Sequence, residues 1–183
     1  MALTAIASTV AAQRPIPDGT VQSGTLSFDG HATAGDFTGT TTSVSGALTG
    51  GPELGAARGF VEAPVTTLVT GNNRRDKDLN KSMESDKFPN IRFDLDSLTP
   101  TWVRNDSAAV LLHGRLSLHG VERPRAIEAI LAFRPDDTIH LRASFPVNLK
   151  DHRIGGLSKF LGVLKMHEDI EVHVEVVFAA TRP

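Results

Sequence analysis

The chain predicts an all-β protein, an eight-stranded antiparallel up-and-down barrel with short helices in two of its connections. Three observations carry that expectation. Eight stretches of strand length are rich in β-branched and apolar residues, and several alternate apolar with polar. Clusters of Gly, Asn, Asp and Pro separate them at turn-like intervals. Helical spacing occurs in two short segments only, near 76–87 and 156–165. Many short strands joined by tight turns are best accommodated by a closed barrel, because closure removes the unpaired edges of the sheet.

The elements follow in order. Residues 22–28 and 37–48 are strands around the turns Asp29-Gly30 and Gly35-Asp36, and Gly50-Gly51-Pro52 ends the second. Residues 59–70 form the third strand, closed by Gly71-Asn72-Asn73, where Gly and Asn accept positive φ. From Asp76 the pattern turns helical, with Leu79 and Met83 on one face. Pro89 stops the helix, because the residue before a proline is driven out of the α region. Strands 90–98, 108–118, 125–133 and 138–147 follow, with turns at Asn105-Asp106 and at 134–137. A second helical stretch spans 156–166, where Leu157, Phe160, Leu161 and Leu164 make an apolar stripe. Strand 167–178 ends the barrel.

Composition bounds the function. The 183 residues support one domain, here assigned to 21–180, behind an arm or signal remnant over 1–20. Residues 1–13 end in Val-Ala-Ala-Gln like a secretory signal but lack a basic start, so both readings stand. A net charge of −2 gives no electrostatic reason for a nucleic-acid partner. No stretch approaches the ~18 apolar residues of a membrane-spanning helix. The absence of cysteine rules out disulfides, thiolate metal sites and cysteine nucleophiles.

Side chains of a strand alternate between two faces, so the inward rows can be read directly. They place Ile91, Phe93, Leu95, Val110, Leu112, Ile127, Ala129, Leu131, Leu141, Ala143, Phe145, Val172, Val174 and Val176 on the interior, with Phe160 contributed by the second helix. An eight-stranded barrel is either filled by such side chains or holds one small ligand. Small residues in those rows (Ala129, Ala143), a Thr-rich second strand and an aromatic content of 5% argue for a cavity. Long aliphatic side chains filling the interior are the alternative. At one rim, Asn72, Asn73, Arg75 and Asp76 either meet the polar end of a ligand or hold their own turn, Asp76 as a helix-start residue. The second helix either plugs the barrel or acts as a lid hinged at Gly155-Gly156. Its basic, amphipathic character permits transient contact with a membrane surface.

Two segments carry a family resemblance. TGNNRRDKDLNKSMESDKFPNIRF, from Thr70 to Phe93, is similar to the signature TGN-x-x-RD…(K)(F/Y)P-x-I-x-F of the YceI-like family. GRLSLHGVERPRAIEAIL, from Gly114 to Leu131, resembles that family's LTLHGVTRPVTLDV strand pair. The likeness runs from about Val21 to Phe178. Departures are the missing aromatic-rich opening strand, the absence of tyrosine and a shorter, helical Thr70 segment. The resemblance implies a lipocalin-like barrel that encloses an elongated lipid, often an isoprenoid, for transport, storage or sequestration. It also implies a periplasmic or secreted location.

Other functions find less support. The seven histidines form no HxH, HxxxH or HExxH pattern, so no metal site and no cofactor is expected. There is no G-x-S-x-G elbow, phosphate loop or dinucleotide fingerprint. Asp151, His152 and Ser158 make a triad on paper only, so an enzyme is not expected. A filled barrel serving as a structural or protein-interaction module is the alternative function. The sequence is compatible with a homodimer.

Overall fold

The structure, a computed structural model, describes residues 15–33, 35–155, 158–159 and 164–181. Its strands are β1 (Gly19–Gly30), β2 (Phe37–Thr41), β3 (Ser45–Thr49), β4 (Arg58–Pro64), β5 (Asn90–Val103), β6 (Ser107–Leu118), β7 (Val121–Phe133), β8 (Thr138–Asn148), the short β9 (Ser158–Lys159) and β10 (Leu164–Lys165), and β11 (Asp169–Ala180). Helix α1 spans Asn73–Ser82. The sheet runs β11-β8-β7-β6-β5-β4-β3-β1, and β1 pairs back onto β11, which closes an eight-stranded antiparallel barrel. The extra strand, β2, lies along the upper half of β1.

Most expected strands appear within a few residues of their sequence bounds. The strand expected over 37–48 is instead two, because Thr41 Oγ1 accepts the Ser43 N–H at 3.0 Å and bonds Thr67 Oγ1 at 2.7 Å. Such local hydroxyl bonds offer the backbone an alternative to the ladder. The break lets β2 stay with Leu26–Gly30 of β1 while β3 pairs β4 and touches only Gly19 and Thr20 of β1. Gly39 of β2 is required opposite Phe28, since a Cβ there would sit 2.2 Å from the ring. The strand expected over 59–70 stops at Pro64, where a 3-10 turn (Val65–Thr67) takes over and the Thr67 hydroxyl donates to the Pro64 carbonyl at 2.7 Å.

β5 runs past Leu98 to Val103, absorbing Pro100 at a bulge between Pro100 and Trp102. A bulge is one of the few places a sheet tolerates proline. β6 and β7 form an unbroken hairpin around His119 and Gly120, whose φ values of 53° and 70° are those of a type I′ turn.

Two expectations need correction. Where it is described, the helix expected over 156–165 is a two-stranded ladder, Ser158–Lys159 pairing with Leu164–Lys165. The apolar stripe residues Leu157, Phe160 and Leu161 lie outside the described residues, as does the arm-or-signal reading of 1–13. The barrel also begins before residue 21: β1 starts at Gly19, and Ile16 is buried and bridges Gly51.

The interior is divided by height. The lower cluster packs Ile16, Leu54, Ala57, Phe133, Ile139 and Phe178 around Val110, Ala129, Leu131 and Val176. A 3-10 turn at Leu54–Ala56 seals this floor, and Leu54 is fully buried. The upper cluster is a ring of Val65, Met83, Leu116, Leu118, Val147, Leu149, Ile154 and Ile170.

Candidate ligand-binding site

Between the two clusters and beneath α1 lies a cavity of about 500 Å³ with an almost wholly apolar wall. That volume is within the ~300–1,000 Å³ of small-molecule sites. Of the residues read from the sequence, Ile91, Phe93, Leu112, Ile127, Leu141, Ala143, Phe145, Val172 and Val174 line it. Leu95, Val110, Ala129, Leu131 and Val176 do not: they face inward but belong to the lower packing, with Val110 and Val176 at 1% exposure. Period-two alternation assigns a residue to a face and says nothing about its height along the axis. Phe160 lies outside the described residues.

Sequence reading missed much of the upper wall. Leu26 and Phe28 of β1, Val61 and Ala63 of β4, Leu79 of α1 and Met83 at its C-cap all line the cavity. Alternation in β1 and β4 was a usable signal, and the Leu79–Met83 spacing marked the buried side of α1. Phe37 and Met166, which also border the cavity, are brought there by chain crossings at the rim.

The rim is ordered by the Thr70 segment. Asn72 caps α1, its Oδ1 accepting the N–H groups of Arg74 and Arg75 at 3.0 and 3.1 Å. The Thr70 hydroxyl donates to Asp76 Oδ1 at 2.6 Å and accepts from Arg75 Nε at 2.9 Å. Thr70 N–H donates to the same carboxylate, and Arg75 Nη2 donates to the Thr70 carbonyl at 3.0 Å. The Arg75 guanidinium lies 4.2 Å over the Phe37 ring, a cation–π contact tying α1 to β2. Asp76 thus holds the turn, while Asn72 and Arg75 both build the turn and border the cavity. Asn73 is exposed and does not border it, whereas Arg74 and Asp78 do.

A second connection, after β8, also borders the rim. His152, fully buried, donates from Nδ1 to the Val121 carbonyl at 3.2 Å, and burial pushes its pKa below the ordinary histidine value. His119 Nδ1 donates to the His152 carbonyl at 3.0 Å, and its ring packs edge-on to Phe88. Arg123 donates to the Asp151 carbonyl at 3.2 Å. These bonds engage His152 with backbone, and no bond among the described residues joins it to the Asp151 carboxylate. On the outer wall, Ser144, His173 and Asp29 form a cross-strand row: the hydroxyl donates to Nδ1 at 2.8 Å and Nε2 donates to the carboxylate at 3.0 Å. That His173 bond holds the Asp29 carboxyl below its usual range. Among the described residues, no group of three His, Asp or Glu side chains is arranged to hold a metal ion.

The fold and the cavity together define a lipocalin-shaped barrel with a closed floor and an apolar upper chamber. The chain belongs to the YceI-like domain family, whose match covers residues 19–178. Its fold is similar to that of a polyisoprenoid binding domain from Saccharophagus degradans implicated in plant cell wall breakdown (TM-score 0.75, 13% identity, covering 91% of this chain and 99% of that one). It is also similar to BcnA of Burkholderia cenocepacia (TM-score 0.71, 11% identity, covering 84% and 95%). The Campylobacter jejuni YceI protein resembles it at a TM-score of 0.53 and 18% identity, over 69% of this chain and 73% of that one. No curated protein matches the chain.

Proposed function

We propose that the upper chamber binds one elongated apolar molecule, an isoprenoid or related lipid, for transport, storage or sequestration and without chemical turnover. The observation that carries this reading is the apolar cavity of about 500 Å³ above a packed floor. The Saccharophagus degradans domain of similar fold, described as polyisoprenoid binding, supports the same ligand class. Each CH₂ group removed from water contributes ~0.8 kcal/mol, so the branched aliphatic wall needs no grid of polar partners along the chain. The polar end of the ligand would lie at the rim, near Asn72 and Arg75. Carriage outside the cytoplasm, with transient membrane contact at the rim, belongs to the same proposal.

Native mass spectrometry of the purified protein, followed by solvent extraction, tests it. A stoichiometric lipid released on denaturation supports the carrier. With added polyprenyl alcohols, affinity is expected to rise with each isoprene unit that the chamber accommodates. A bare mass with no uptake of any of them would sink the proposal and favour a structural or protein-binding barrel.

A further inference from the structure

The barrel wall is not continuous. β7 and β8 pair from Phe133–Ile139 up to Ala129–Ala143, and their ladder stops there. Yet β7 continues to Val121 and β8 to Asn148, each still fully paired to its other neighbour, β6 or β11. The two strands therefore separate halfway up the barrel. About five residues of each face the separation, a length of roughly 16 Å at ~3.3 Å per residue.

Two prolines lie on the facing edges. In β7, the Phe133 N–H donates to the Asp106 carbonyl on the β6 side. Backbone polar groups alternate from side to side along a strand, so the odd positions of β7 address β6 and the even ones address β8. In β8, the Leu149 N–H just beyond the strand donates to Glu168 on the β11 side, so the even positions of β8 address β7. Pro124 and Pro146 are both even. Each places a nitrogen without a hydrogen where the extended ladder would need a donor, Pro146 toward Ala126 and Pro124 toward Asn148. A ladder lacking these donors resists zipping, and the same edges make poor templates for an added peptide strand.

The seam meets the chamber. Ile127 and Phe145 would be directly opposite if the ladder continued, and both line the cavity. At the fork itself are Ala129 and Ala143, which add little bulk. At the top, the connection after β8 bridges the seam among the described residues, through the bonds of His152 to Val121, His119 to His152 and Arg123 to Asp151. That closure leaves Arg125 Nε and His152 Nε2 buried without hydrogen-bond partners. Opening it would let water reach both atoms, which favours the open form relative to a fully satisfied latch.

We propose that the β7–β8 seam is a lateral portal of the chamber, through which an elongated apolar chain slides in sideways between Ile127 and Phe145. The proposal rests on the reading of the chamber as a lipid site. The route changes the rates of binding and release but not the equilibrium, because the bound state is the same.

The lack of native cysteine makes a reversible lock possible. Ala126→Cys with Pro146→Cys, bridged by a short bis-methanethiosulfonate and released by dithiothreitol, closes the seam. Thr25→Cys with Glu175→Cys, a pair within the intact β1–β11 ladder, is the control. The probe is all-trans-retinol, an isoprenoid alcohol whose fluorescence rises in apolar surroundings, followed by stopped flow. The bridged seam is expected to slow uptake and release about tenfold each, leaving Kd within about threefold, with full recovery on reduction. The bridged control should match the native protein. Pro124→Val with Pro146→Val, which restores both donors without a bridge, should slow exchange in the same direction. Retinol bound by every form at unchanged rates would overturn the portal and leave the carrier standing. Retinol bound by no form would overturn the carrier, and the portal with it.

Discussion

The lower and upper halves of this barrel are built from the same strands with the same alternation, yet one is packed and the other hollow. Along β6, Val110 sits in the floor and Leu112 borders the chamber two residues later. Along β8, Ile139 is in the floor, while Leu141, Ala143 and Phe145 line the cavity. The difference comes from what enters the ends. The floor receives Ile16 and Leu54 from outside the barrel staves, supplying volume the inward rows lack. The upper end receives α1, whose apolar contribution to the cavity wall is Leu79, joined by Met83 at its C-cap. A barrel of this size is thus filled or emptied by its connections as much as by its strands.

The largest test of this contrast is truncation at the two levels. Leu54→Ala should cost about 2–5 kcal/mol, because it opens a void in a close-packed floor. Leu141→Ala should cost less than half as much, since that side chain already borders empty space and few neighbours lose contacts. Urea denaturation of both variants measures the pair, and equal losses would mean that the chamber is collapsed in solution.

Enlargement should invert the pattern. Ala129→Phe, in the lower packing, is expected to destabilise by roughly 1–3 kcal/mol through overpacking. Ala143→Phe should leave stability nearly unchanged while blocking uptake of a polyprenyl alcohol, since the ring projects into the chamber. Thermal melts and native mass spectrometry together separate the two.

A third contrast is in pH. The floor holds no buried histidine among its core residues, whereas His152 is buried beneath the rim with its pKa depressed. A base that protonates less readily when folded adds stability above its unfolded value of 6.5; that stability is lost as pH falls through the folded value. Native protein should therefore lose Tm on going from pH 7.5 to 5 more steeply than His152→Asn. Parallel pH profiles for the two proteins would contradict the assignment of this loss to His152.

The smallest effect is expected at the rim turn. Asn72→Ala removes one cap from α1 and should cost about 1 kcal/mol, read by thermal melting. Because α1 roofs the chamber, the same variant should release a bound lipid faster.

Much of this was legible in the chain. The strands of β5 to β8 and β11 were marked by turns and alternation, and the Thr70–Phe93 segment carried both the family likeness and the turn that Thr70, Arg75 and Asp76 close by hydrogen bonds. Those features depend on neighbours close in sequence, which a one-dimensional pattern records. Three things were decided elsewhere. The break after Thr41 depends on a hydroxyl of Thr67. The height at which packing gives way to cavity depends on Ile16 and Leu54 arriving from other connections. The level at which β7 parts from β8 belongs to a pairing made across the barrel wall, with Pro124 and Pro146 on the two facing edges above it. Local sequence determined which face each side chain takes, because a strand alternates with period two. Only tertiary structure decided which inward side chains find a partner and which border a void, because that depends on closing the barrel and on what the closure brings to each end.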